Sequence, residues 1–241
     1  MPSPTAVELL WGTQQRAKRG PKPSLSLEGI VAEAIALADS EGMANLSMQR
    51  LAERLGYTKM SLYRYVPGKA ELTALMLDTA LGSPPDVRTA PVDSAEEPWR
   101  QALRLWGETI FERYRAHPWS LELAVGVRPL GPNELGWTEA ALVALNGLGL
   151  TGPERLDTIV LLNGHVRSLA QQVHDVADGA FDQGIAAQLA AMMDAARDRY
   201  PAVIAAFAEE PPGAPDNALA FGIDRILDGL AVLIADRATR S

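Results

Sequence analysis

The sequence predicts an all-α protein in two parts, a small N-terminal three-helix unit carrying a helix-turn-helix and a larger helical domain behind it. Three observations carry that prediction. Apolar residues recur at the i, i+3, i+4, i+7 spacing of amphipathic helices, with no alternating strand pattern and no internal repeat. Pro- and Gly-rich stretches punctuate the helical segments: Arg19-Gly20-Pro21-Lys22-Pro23, Gly82 to Pro98, and Pro211 to Pro215. Residues 46–75 have the spacing of two short helices crossing at a tight turn.

Taken in order, residues 1–24 read as a flexible basic arm. Arg16, Lys18, Arg19 and Lys22 sit in a stretch too rich in Gly and Pro to form a helix or enter a core. Such an arm suits phosphate contact or minor-groove insertion, and a solvated tail has the same composition. Val7 to Trp11, ahead of it, is too short to assign. Leu27, Ile30, Val31, Ala34, Leu37 and Ala38 then form the apolar face of a helix opened by Ser26 and closed by Gly42.

Ser47 is placed to cap the next helix, with Leu51 and Leu55 on its inner face. Ala52 falls where two crossing helices approach most closely, and Gly56 supplies the positive φ that turns the chain. A second helix is predicted from Thr58 to Tyr65, with Leu62 turned inward and hydroxyl and basic side chains turned out. Val66-Pro67-Gly68-Lys69 breaks it, and a helix over 70–81 carries Leu72, Leu75, Met76, Thr79 and Ala80. Residues 25–81 thus form a DNA-reading unit. Its expected DNA contacts are the arm cations, Ser47, Met48 and Gln49 at the first helix start, Thr58, Lys59, Met60, Ser61, Tyr63, Arg64 and Tyr65 on the second, and Lys69.

Residues 82–98 read as a linker or loop, and helices resume over 99–241. Trp99 to His117 carries Leu103, Trp106, Ile110 and Tyr114 at helical spacing; further helices are expected over 134–148, 153–174, 182–200 and 217–237. In the last, Ala218, Phe221, Gly222, Arg225, Ile226, Gly229, Leu230, Leu233 and Ile234 make a broad apolar face whose small residues allow close helix approach. With Leu162 and Val166 of the 153–174 helix it is the expected dimer interface, unless the face packs within its own chain.

A net charge of −8 argues against nucleic acid until it is divided between the two parts. Residues 1–70 carry nine Lys/Arg against six Asp/Glu, and residues 71–241 thirteen against twenty-four, so the acidity belongs to the second part. The absence of cysteine excludes disulfides and thiolate-held metals. No apolar run reaches the length of a membrane span and the first residues lack signal-peptide order, so no membrane association and a cytoplasmic location are expected. There is no Gly-x-Ser-x-Gly, no Gly-rich phosphate loop and no triad arrangement of the three histidines, and an enzyme is not expected. His174 and Asp178 at i, i+4 lack a third ligand; neither metal nor cofactor is predicted.

The N-terminal unit resembles that of the TetR family of transcriptional regulators, specifically in Gly56, Ser61-Leu62-Tyr63, Tyr65-Val66 and Lys69. The C-terminal part is similar to the tetracycline-repressor-like subclass in Glu97-Pro98-Trp99, His117, Gly126-Val127-Arg128-Pro129 and Gly164-His165. This resemblance implies a homodimeric repressor released from a palindromic operator in double-stranded DNA by a small-molecule inducer. It places Met76, Trp106, Ile110, Arg128, Trp137, Leu161, Asn163 and His165 as candidate pocket lining. Trp106 and Trp137 fit core filling as well, His165 an interior hydrogen bond, and Arg128 an ion pair. Where tetracycline-responsive members carry a magnesium-coordinating histidine, seven residues past His117, this chain has Ala124. The expected inducer is therefore metal-free and apolar or aromatic. The alternative is a DNA-binding dimer whose C-terminal domain serves protein interaction only.

Overall fold

The structure is a computed structural model and describes residues 4–12, 25–87, 96–177, 191–209 and 218–239. All regular elements among the described residues are helices. In the N-terminal unit the caps set the boundaries. Ser26 accepts from the Gly29 amide (3.0 Å) and opens α2, Leu27–Glu41; Ser47 accepts from the Arg50 amide (3.2 Å) and opens α3, Met48–Leu55. Gly56, at φ +75°, closes α3 in the left-handed region. Thr58 then accepts from the Ser61 amide (3.3 Å) and opens α4, Lys59–Leu62. Helix α4 is shorter than the expected 58–65. Past Leu62 the chain tightens, with the Tyr65 amide donating to the Leu62 carbonyl (2.9 Å), because Pro67 disfavours helical backbone at Val66. Helix α5, Lys69–Leu81, completes the unit. Ile30, Ala34, Leu37, Leu51, Ala52, Leu62, Leu72 and Met76 fill a common core.

The expectation of a flexible arm over residues 1–24 is corrected in its first half. Thr5 opens a short helix α1, Ala6–Leu10, through reciprocal bonds with Glu8. Leu9 and Leu10 are buried in the N-terminal core and α1 lies against α5. Five residues are too few for periodicity to register, although Thr5-x-x-Glu8 is a capping-box pattern. Arg16, Lys18, Arg19 and Lys22 lie outside the described residues.

The second part comprises α6 Pro98–Ala116, α7 Ser120–Leu123, α8 Pro132–Ala144, α9 Gly152–Ala177, α10 Pro201–Ala208 and α11 Ala218–Ala238. Helix α8 begins before the expected residue 134 because Pro132 occupies a first-turn position, where a missing N–H is no loss. It stops short of 148 where the chain turns through Gly147 and Gly149, at φ +76° and +74°. Of the helix expected over 182–200, residues 191–196 are helical, the preceding ones and Asp178 lie outside the described residues, and Pro201 starts α10 afresh. Val87 of the predicted linker is buried in the second core, while 88–95 lie outside the described residues. Helix α6 runs through the middle of this part against α8, α9 and α11, and its Leu103 and Trp106 share one core with Leu145, Leu162, Val166, Ile223 and Leu227. No described helix is long and apolar enough to cross a membrane.

Candidate functional site

The reading face is the start and outer side of α4. Thr58, Lys59, Met60 and Arg64 are exposed, while Ser61 and Tyr63 are half-buried. The Thr58 and Ser61 hydroxyls lie 2.9 Å apart, and Lys59 Nζ sits 5.6 Å from the Tyr63 ring centroid, a cation over an aromatic face. On α3, Ser47 and Gln49 are exposed, with Gln49 Nε2 donating to Glu53 (2.6 Å). Arg50 and Arg54 of the same helix pair with Glu41 and Glu33 of α2, which neutralises them within the unit.

Two expected DNA contacts, Met48 and Tyr65, are placed differently, and a third, Lys69, stays exposed but also bonds within the unit. Met48 is 7% exposed and belongs to the core, because it lies three residues before Leu51 on the inward face of α3. Tyr65 leaves the outer side with the early end of α4 and packs partly against the core. Lys69 donates through Nζ to the Leu46 carbonyl (2.9 Å), tying the start of α5 to the turn before α3.

The N-terminal unit is fastened to the second part through two carboxylates. Asp78, near the end of α5, is 5% exposed and accepts through Oδ1 from the Asn133 and Glu134 amides (3.0 and 3.1 Å), capping α8 from outside its own sequence. Asn133 Nδ2 returns bonds to the Asp78 carbonyl and Oδ2 (3.0 and 3.1 Å). Burial pushes the Asp78 carboxyl above the usual aspartate range, against the pull of these donors. Asp39, on α2, accepts through Oδ1 from the Trp119 indole (2.6 Å) and lies 2.9 Å from His117 Nδ1, holding the corner between α6 and α7.

Between α6, α8 and α9 lies a cavity of about 120 Å³. Trp106 and Trp137 meet edge to face at 5.7 Å in its wall, joined by Trp106 Nε1 donating to the Trp137 carbonyl (2.8 Å). Trp137 Nε1 in turn donates to the Gly82 carbonyl (2.9 Å), just past the end of α5, so one tryptophan lines the cavity and holds α5 to α8. Ile110 and Asn163 also line it, together with Leu81, Tyr114, Leu130, Glu134, Thr138 and Ile159, none of them among the expected lining residues. Tyr114 donates to Asn163 Oδ1 (3.1 Å), and its burial pushes the phenol up. Its place eight residues past Trp106 and four past Ile110 was the available signal.

The other expected lining residues lie elsewhere. Met76 is fully buried in the N-terminal core, since α5 turns that side of its helix toward α2 rather than the cavity. Leu161 is 60% exposed: two residues from both Ile159 and Asn163, it faces the opposite side of α9. His165 points at α11, with Nε2 3.2 Å from the Leu219 carbonyl and its ring where a β-carbon on Gly222 would stand. Arg128 is held by Glu134 in a two-pronged pair (2.6 and 2.5 Å), so Glu134 rather than Arg128 reaches the cavity. The Ala124 carbonyl accepts from Arg167 (2.9 Å), and no side-chain ligand stands at that position.

The outward faces of α9 and α11 are apolar. Val160, Leu161 and Phe221 are more than half exposed, and a groove of about 390 Å³ between the helices is lined by Leu161, Arg225, Ile226, Gly229, Leu230 and Leu233. Of the expected interface residues, Leu162 and Val166 instead fill the chain's own core, one helical position away from that face; Leu230, 6% exposed, belongs to the same core while lining the groove, and Gly222 faces the His165 ring.

The family model described as "Bacterial regulatory proteins, tetR family" matches residues 30–76, and the one described as "Tetracyclin repressor-like, C-terminal domain" matches residues 90–234. The chain belongs to the TetR family. Regulators of this family are DNA-binding transcription factors, not enzymes. The chain is 39% identical over 242 residues to the HTH-type transcriptional repressor DrrR1 of Streptomyces coeruleorubidus, spanning 98% of this chain and 88% of that protein. It is 30% identical over 132 residues to the class E tetracycline repressor protein of Escherichia coli, covering 55% of this chain and 61% of the other. Among solved structures it is similar to ActR of Streptomyces coelicolor in complex with (S)-DNPA, with a TM-score of 0.66, 25% identity, and 86% and 97% of the two chains covered.

Proposed function

We propose that this TetR-family chain is a homodimeric repressor that leaves a palindromic operator when a metal-free, apolar or aromatic small molecule enters the cavity between α6, α8 and α9. The observation that carries the reading is the double role of Trp137, in the cavity wall and in the bond to the end of α5. A ligand that displaces α8 acts directly on the helix that carries the reading unit. Repressor function in DrrR1 and small-molecule binding in ActR, as their names state, support it. The exposed apolar faces of α9 and α11 support a dimer, which would present two α4 helices to DNA half-sites about 34–36 Å apart. The arm cations and Lys69 are assigned to phosphate, with Thr58, Lys59, Met60 and Arg64 nearest the bases.

One observation favours the second reading, in which the C-terminal domain serves protein interaction only: about 120 Å³ is smaller than the roughly 300–1,000 Å³ of small-molecule sites. The induced reading therefore requires the cavity to widen as a ligand enters. A panel of planar aromatic compounds screened for release of operator DNA, against both the native chain and Ile159→Trp, separates the two. Compounds that release the native protein and fail on the filled cavity support induction. Release that is indifferent to Ile159→Trp would move the ligand site away from this cavity, and no release across the panel favours the second reading.

A further inference from the structure

We infer that the amide of Asn163 is the recognition point of the cavity between α6, α8 and α9, and that it selects a neutral, single-ring aromatic ketone. This rests on the reading of that cavity as the inducer site given above. The other donors in the wall are already engaged. Trp106 Nε1 donates to the Trp137 carbonyl (2.8 Å), Trp137 Nε1 to the Gly82 carbonyl (2.9 Å), and the Thr138 hydroxyl to the Glu134 carbonyl (3.4 Å). Both carboxylate oxygens of Glu134 accept from Arg128, which neutralises the charge. The Tyr114 hydroxyl donates to Asn163 Oδ1 (3.1 Å). That bond fixes the amide plane, and Asn163 Nδ2 keeps its two N–H donors with no acceptor among the described residues.

The chemistry of the guest follows from what is left open. A guest that brings an acceptor oxygen gains a bond to Asn163 Nδ2 that a hydrocarbon of the same shape does not. Leu81, Trp106, Ile110, Leu130, Trp137 and Ile159 make the remainder of the wall apolar, and the edges and faces of two indoles suit an aromatic ring. A charged guest is disfavoured: Glu134 and Arg128 cancel each other, so neither an ammonium nor a carboxylate finds an unspent counter-charge, and burying one alone is costly. Size sets the number of rings. A cavity of about 120 Å³ is on the scale of the roughly 150 Å³ engineered cavity that takes benzene, so one ring demands the least widening. Tyr114 acts through the amide it holds and is a positioning residue.

Ligand-observed NMR on the full chain without DNA gives dissociation constants for two probes, acetophenone and α-methylstyrene, in which a methylene replaces the ketone oxygen. Asn163→Leu should weaken acetophenone about tenfold and leave α-methylstyrene within about twofold, because only the ketone loses a hydrogen-bond partner. Tyr114→Phe, which keeps the ring, should weaken acetophenone alone, by about threefold, as the amide loses its anchor. Ile159→Trp should weaken both probes, which places them in the cavity. Equal losses of the two probes in Asn163→Leu would mean that Asn163 shapes the cavity without selecting the guest, and that result overturns the proposal. So does a native chain that binds neither probe. Operator release is read separately. Binding with the expected selectivity but no release leaves the ligand class standing and removes induction, whereas release by larger aromatics that ignores Asn163→Leu keeps induction and overturns the ligand class.

Discussion

Asp78 fills the space a side chain on residue 131 would need: a β-carbon built on Gly131 would lie 2.1 Å from Asp78 Oδ1. The backbone at Gly131 is ordinary, φ −86° and ψ 173°, so glycine is required there by the carboxylate and not by conformation. Gly131→Ala should expel Asp78 from the α8 N-terminus and cost about 1–3 kcal/mol, the usual range for overpacking. In an Asp78→Ala background the same change should cost far less. Urea unfolding of the four proteins checks this; additive losses would show that the two positions do not compete.

Two carboxylates give opposite pH signatures. Glu154 is held at about 2, first by the Thr151 amide and then by Arg237 and the Thr151 hydroxyl, against an ordinary 4.5. A lowered folded-state pKa stabilises above the ordinary value, so the advantage of the native chain over Glu154→Gln should be lost as pH falls from about 4.5 to about 2. Asp78 is raised by burial, so the native chain should gain relative to Asp78→Asn as pH falls through its raised value. Stability curves of both variants from pH 7 to 3 would reveal the two slopes, and parallel curves would contradict the assignment.

On the DNA side, Lys59→Ala should cost about 1–3 kcal/mol on operator and relax sequence preference, whereas Lys69→Ala should weaken all sequences alike and lower the salt slope by about one unit. Lys69→Ala should also lower thermal stability, since its ammonium bonds the Leu46 carbonyl. Met48→Ala should cost about 2–5 kcal/mol of folding stability as a core truncation without altering sequence preference. Competition with random DNA distinguishes these outcomes; equal loss of preference in all three would mean that the reading face is misplaced.

For assembly, Leu161→Glu places a charge on the exposed α9 face and should yield monomers that bind operator weakly. Leu162→Ala, one residue on, should destabilise each subunit and leave a dimer. Sedimentation velocity reports both, and a fully dimeric Leu161→Glu would remove this face of α9 from the interface.

The N-terminal fold was legible because its signals are local: Ser26, Ser47, Gly56 and Thr58 each act within one turn of themselves. Helix existence in the second part was legible for the same reason, with ends displaced where Pro132 serves as a first-turn residue ahead of the expected start at 134. The cavity was legible only in part. Trp106 and Ile110 share one face of α6, but which side of α9 meets them is decided by packing, and periodicity alone places Leu161 and Asn163 equally well. The roles of Asp39 and Asp78 depend on partners far away in sequence, so no local pattern announces them. The bond from the Trp11 indole to the Leu130 carbonyl is the same case, its partners 119 residues apart.

In the proposed dimer the α5–α8 seam sets the spacing of the two reading helices. Because the chain has no cysteine, a single spin label at Arg64→Cys on each subunit reports that spacing by electron–electron double resonance in the free dimer. Asp78→Ala should shift or broaden the distance distribution relative to the same label in an otherwise native chain, with helical content and dimerisation retained. An unchanged distribution in a folded, dimeric Asp78→Ala protein would contradict it.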